Sequence, residues 1–134
     1  MKLYIKDLLI GFESVVTVKD NILNTEVKED DIAKAFGLAL KEVRKAQGIT
    51  LRKMSEDIEI PNPTINRYEN GQNIPSLLQA VKIANYFHIS IELMLILGMT
   101  ALIENVDIGK FYQQLRYALD EAKKKNIINR ARKK

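Results

Sequence analysis

Three neutral polar side chains and one guanidinium are gathered in the six residues Asn62-Pro63-Thr64-Ile65-Asn66-Arg67. The two Asn amides and the Thr hydroxyl each donate and accept, and Arg67 carries a planar fork of donors. That set performs recognition by hydrogen bonding. Elsewhere the chain offers little to catalysis. It contains no Cys and one His, and none of the patterns G-x-x-x-x-G-K-[ST], G-x-G-x-x-G, H-E-x-x-H or G-x-S-x-G. The missing thiols exclude a disulfide scaffold, a thiolate metal site and a cysteine nucleophile. The single His88 excludes a cage of imidazoles, and its place in a turn after Phe87 suits a helix C-cap or a surface role. The run Glu29-Asp30-Asp31 reads as the acidic start of a helix, favoured by the positive end of the helix dipole, rather than as a metal site. No catalytic residue, metal or cofactor is expected.

A chain of 134 residues with 46% apolar and 28% charged side chains has room for one compact domain and an appended element. No apolar run approaches the roughly 18 residues that span a bilayer. The first residues, MKLYIKDLLIGFES, carry Asp7 inside their apolar stretch and make a poor secretory signal, so a cytoplasmic protein without membrane attachment is the expectation. Charge is uneven: residues 1–34 are net −2, residues 35–98 net +1 and residues 99–134 net +5. Seven cations fall between Lys123 and Lys134, a tail that reads either as a phosphate-binding arm or as a solvated terminus.

The elements that must carry the polar cluster are short helices. Ile32, Ala35, Phe36, Ala39, Leu40 and Val43 recur at three and four, which defines one helical face. Gly48 suits the left-handed end of that helix, with Ile49 folding back onto its last turn. Thr50 is a good N-cap for Leu51–Ile58, where Leu51, Met54 and Ile58 share a side. Thr64–Asn70 follows, stopped by Gly71. Ser76 caps Leu77–Phe87, with Leu77, Ala80, Val81, Ala84 and Phe87 inward, and Ser90 caps Ile91–Leu97, ended by Gly98. Five helices joined by short turns predict a mainly α domain.

The segments KAQGIT, INRYENG, IPSLLQAVKIA and HISIELML, in that order and without gaps, resemble the Xre-type helix-turn-helix domain of phage-repressor-like regulators. The resemblance implies a five-helix lambda-repressor-like domain at 31–98. It places the helix at 51–58 across the DNA backbone and the helix near 63–70 in the major groove. On that helix the side chains themselves make Asn62, Pro63, Thr64, Asn66 and Arg67 the candidates for base contact, the Arg67 fork matching guanine O6 and N7 and Pro63 offering an apolar edge to a thymine methyl. Phosphate contacts fall to Thr50, Arg52, Asn70, Gln72 and Asn73, the loop 70–73 donating through its amides. Arg44 and Glu69 match a family ion pair that ties the first helix to the end of the recognition helix.

Three positions depart from the pattern. Ser55 replaces a small Ala without harm. Glu59 stands at a turn position usually held by Gly, where a left-handed conformation costs on the order of 1 kcal/mol. Leu51 replaces a polar residue that often touches phosphate. Pro63 disfavours helical geometry at Asn62 and itself suits the first helical position. Asn62 is then the N-cap; in the other reading Pro61 takes the cap and Asn62 reads a base.

The flanks are read from pattern alone. Residues 99–134 hold an amphipathic helix capped by Asp107, with Ile108, Phe111, Tyr112, Leu115, Ala118, Leu119 and Ala122 on one stripe. Because regulators of the resembled family read paired half-sites as dimers, the resemblance implies a dimer contact through Phe111, Tyr112, Leu115 and Leu119; otherwise the stripe packs on its own domain. Residues 1–30 form an N-terminal extension and a candidate β-hairpin: Ser14–Val18 suggests a strand, Leu3–Phe12 fits helix or strand, and residues 19–30 read as a polar linker. The expected function is a sequence-specific DNA-binding transcriptional regulator, a repressor acting as a homodimer on double-stranded DNA. The alternative is an antitoxin-type protein that binds a toxin partner and regulates its own operon. A third reading, suggested by Leu51 and the near-neutral 35–98 segment, is a helical core that dimerises without binding DNA.

Overall fold

The computed structural model describes residues 1–10, 20–104 and 106–132. In chain order the elements are β1 (Leu3–Tyr4), α1 (Ile5–Leu8), α2 (Asp20–Leu23), β2 (Glu26–Val27), α3 (Glu29–Ala46), α4 (Leu51–Ile58), α5 (Asn62–Glu69), α6 (Leu77–Phe87), α7 (Ile91–Glu104) and α8 (Ile108–Arg132). The long α3 is the axis of the molecule, with α5, α7 and α8 packed around it.

Local chemistry sets most of the boundaries. The Lys28 amide donates to the Asp31 carboxylate at 2.9 Å, so the acidic run opens α3 at Glu29. Gly48, at φ +66°, closes the same helix, and the Ile49 amide returns to the Arg44 carbonyl at 3.1 Å. Side-chain oxygens of Thr50, Ser76, Ser90 and Asp107 each accept from a backbone amide three residues on, at 3.0–3.2 Å, and start α4, α6, α7 and α8. Glu59 and His88 take the left-handed conformation, both at φ 57°, and end α4 and α6.

Two glycines set how closely the helices cross. A Cβ on Gly37 of α3 would stand 2.1 Å from the Tyr68 carbonyl oxygen of α5. A Cβ on Gly98 of α7 would stand 1.9 Å from the Ala35 carbonyl oxygen. Gly98 therefore does not stop the last helix of the domain, as its type suggests; α7 runs through it to Glu104, and the missing side chain is what lets α3 and α7 touch.

Two further expectations are corrected. On α6 the buried stripe is Ala80, Ile83, Ala84 and Phe87, whereas Leu77 is 78% and Val81 39% exposed. The 3.6-residue period carries Val81 off to the side of the face that meets the core, and Leu77 lies in the first turn, ahead of it. Residues 20–27 are not a bare linker. They hold α2 and β2, and β2 pairs antiparallel with β1, Leu3 opposite Val27 and Tyr4 opposite Glu26. Their three apolar side chains explain this. Ile22, Leu23 and Val27 join Ile5 and Leu9 in a small cluster closed by Ala35, Ile96 and Met99 of α3 and α7. The described residues of the extension are thus seated on the helical body. The expected strand Ser14–Val18 lies outside the described residues.

The stripe of α8 divides along its length. Ile108 and Tyr112 are buried in the main core, and Phe111 and Leu115 pack against it. Tyr112 is 2% exposed, and its hydroxyl donates to the Phe87 carbonyl at 2.7 Å. That ring is interior to its own domain and has no surface left for a second copy, which corrects its assignment to a dimer contact. Beyond it, Tyr117 and Leu119 are exposed. Tyr112→Phe removes the one hydroxyl and leaves the ring; it is expected to lower stability by about 1 kcal/mol, read as a lower urea midpoint at unchanged slope.

Candidate nucleic-acid interface

α4 and α5 form a helix-turn-helix. Met54 and Ile65 are fully buried and hold the two helices on the core, and the Ser55 hydroxyl donates to the Ile60 carbonyl at 2.7 Å, which pins the turn between them. The small residue at position 55 is thereby polar for a reason. The Pro61 carbonyl accepts from the Thr64 and Ile65 amides at 2.9 and 3.1 Å, so Pro61 is the N-cap and α5 starts at Asn62 with Pro63 in its first turn. This corrects the reading of Asn62 as the cap. Pro needs no amide partner, and a helix capped by Pro61 leaves the Asn62 side chain in solvent.

The period of α5 separates its side chains cleanly. Ile65, Tyr68 and Glu69 face inward; Asn62, Pro63, Asn66 and Arg67 are exposed and Thr64 is half-buried. Arg67 Nη2 donates to Thr64 Oγ1 at 3.4 Å, which lays the guanidinium back along the helix toward its N-terminus. The Tyr68 hydroxyl donates to the Gln79 side-chain oxygen and joins α5 to α6. Burial pushes that phenol up from its ordinary pKa.

The C-terminal end of α5 is fixed by Glu69. Arg44 Nε donates to Glu69 Oε2 at 2.6 Å, Nη2 to Oε1 at 3.0 Å, and Nη1 to the Ile49 carbonyl at 2.8 Å. Three elements therefore meet at one guanidinium: α3, the loop before α4, and α5. A bidentate pair of this kind holds orientation as well as position.

The loop after α5 uses its amides internally. The amides of Asn70, Gly71 and Gln72 donate to the carbonyls of Asn66, Tyr68 and Arg67 at 3.0–3.1 Å. The expectation that these amides donate to phosphate is corrected: they cap α5. The exposed side chains of Asn70, Gln72 and Asn73 remain as donors. At the start of α4, Thr50 Oγ1 accepts from the Lys53 amide at 3.0 Å, which leaves its hydroxyl proton for an outside acceptor. Arg52 is exposed and paired with Glu56 at 3.2 Å across one helical turn, a contact of little energetic weight.

One cluster escaped the sequence. Asp57 accepts from Lys53 Nζ at 3.0 Å and from the Tyr86 hydroxyl at 2.6 Å, which links α4 to α6. The hydrogen bond from Tyr86, then that from Lys53, holds the Asp57 carboxyl below its usual range. Burial, joined by the bond to Asp57, pushes the Tyr86 hydroxyl up to about 12. The four-residue spacing of Lys53 and Asp57 was the signal available; the partnership with Tyr86, 29 residues away, was not.

A two-helix unit with one helix clamped edgewise and its polar side turned to solvent defines a helix-turn-helix DNA-binding domain. Residues 40–94 match the family model described as helix-turn-helix, and this segment belongs to the Xre, lambda-repressor-like family of DNA-binding regulators. Neither the curated proteins nor the solved structures gave a match to the chain. Among the described residues no group of side chains is arranged to hold a metal ion, and no single helix is long and apolar enough to cross a membrane.

Proposed function

We propose that this DNA-binding regulator is sequence-specific and acts as a dimeric repressor on an inverted-repeat operator. The single observation that carries the reading is the outward row Asn62, Pro63, Thr64, Asn66 and Arg67, on a helix whose other side is locked by Ile65, Tyr68 and Glu69. Such a helix presents hydrogen-bonding groups to base edges at fixed orientation. Thr50, Arg52, Asn70, Gln72 and Asn73 flank the row and take phosphates. The exposed half of α8, with Leu119, supports contact with a second copy, and Phe111 and Leu115 form its root. Selection of bound duplexes from a random pool tests the reading. A palindrome-like consensus supports it, and a pool without enrichment overturns it. Arg67→Ala should cost about 1–3 kcal/mol on the selected site and relax preference at one base pair. Equal weakening on all sequences would make Arg67 a phosphate clamp instead.

A second reading, an antitoxin-type regulator with a protein partner, is favoured by the exposed row Ile74, Leu77, Leu78 and Val81 along α6 and the loop before it. A small protein that co-purifies stoichiometrically with the chain, and is lost on Leu77→Lys, would select that reading.

A further inference from the structure

The helix α3 begins eleven residues before the matched family segment, at Glu29 against residue 40. This added stretch lies along the loop that follows α5. A Cβ on Gly71 would stand 3.1 Å from both Cα and Cγ of Lys34 and 3.5 Å from its amide nitrogen, and Gly71 itself is at φ +70°. The helix and the stem of Lys34 therefore rest directly on the loop between Asn70 and Gln72. Lys34 is exposed, so its stem lies on the loop while the ammonium reaches water. It is also the only basic residue from 29 to 40, a stretch otherwise charged by Glu29, Asp30 and Asp31. Glu29 and Asp30 line a polar groove with Gly71, Gln72 and Asn73 of the same loop. Carboxylates there repel a phosphate, and Lys34 attracts one.

We propose that Lys34 is a phosphate contact, delivered from outside the helix-turn-helix to the DNA strand that passes the loop 70–73. The inference rests on DNA binding by α5 and its loop, and deepens it. A lysine whose first carbons are packed gives up less rotamer freedom on binding than one free in solvent. Its contact carries no sequence information and adds one neutralised phosphate.

The test uses the full chain and one selected duplex, with affinity measured across salt concentrations. Lys34→Gln should lower the slope of log affinity against log salt by about 0.9 and weaken selected and unrelated duplexes by the same factor. Thermal midpoint should stay at the wild-type value. Lys34→Arg should keep the wild-type slope, and Lys110→Gln, the same charge change on α8, should leave it unmoved. A steep wild-type slope that Lys34→Gln leaves unchanged overturns this inference alone. So does a slope change matched by Lys110→Gln. A wild-type chain without salt-dependent duplex binding overturns the DNA-binding reading with it.

Discussion

Replacing Glu69 by Ala is expected to cost the domain about 3–5 kcal/mol, a loss comparable with the whole stability of a small domain. The reason is what stays behind. The side chains of Arg44 and Glu69 are 12% and 3% exposed, and the carboxylate takes two of the guanidinium's hydrogen bonds. Without it the Arg44 charge is buried beside only the Ile49 carbonyl. Desolvation of an unpaired charge then dominates over the lost attraction itself. The double variant Arg44→Met, Glu69→Leu should recover much of the loss, since it buries no charge. Urea denaturation of the two single variants and the double variant closes a thermodynamic cycle. A Glu69→Ala midpoint equal to wild type would show that the pair holds nothing.

Gly98→Ala is the second large effect, expected to exceed about 3 kcal/mol. The added methyl would meet Ala35 O, C and Cα at 1.9, 2.4 and 2.7 Å. All three are backbone atoms of α3, so no rotamer change relieves the clash and the two helices must part. The same substitution at Gly48 meets nothing within 4 Å and bears only the strain of φ +66°, on the order of 1 kcal/mol. Comparing the urea midpoints of the two variants separates interior crowding from backbone strain. Equal midpoints would refute the close-contact role of Gly98.

These two positions mark where reading the chain succeeds and where it does not. Thr50, Ser76, Ser90 and Asp107 were legible as helix starts because a cap involves only residues three apart. The left-handed turn at Glu59 was legible only through the family pattern, which has Gly there, and His88 was legible as a helix C-cap without its handedness. The partner of Arg44 lies 25 residues away and was legible only through resemblance to a family. Gly98 looked like a stop because a glycine's local meaning is a helix end, and its tertiary meaning needs α3 in place. The same limit applies to Leu77 and Val81, whose periodicity placed them near a face but could not say where the neighbouring helix ends. At Pro61 and Asn62 the two starts differ by one residue, and local preferences at Pro63 did not discriminate between them. The polar stretch 19–30 hid an ordered segment, since its few apolar residues acquire meaning only against Ile5 and Leu9.

The contact at Gly37 has a bearing on how new binding preferences arise. Only a hydrogen atom separates α3 from the Tyr68 carbonyl, so the height at which α5 stands above the body is set by the main chain and not by its outward side chains. Under the proposed function, the side chains at 62, 63, 66 and 67 can be exchanged one by one while that height stays constant. Divergence among duplicated copies of such a domain would proceed by changing what is read, without retooling the scaffold that reads it.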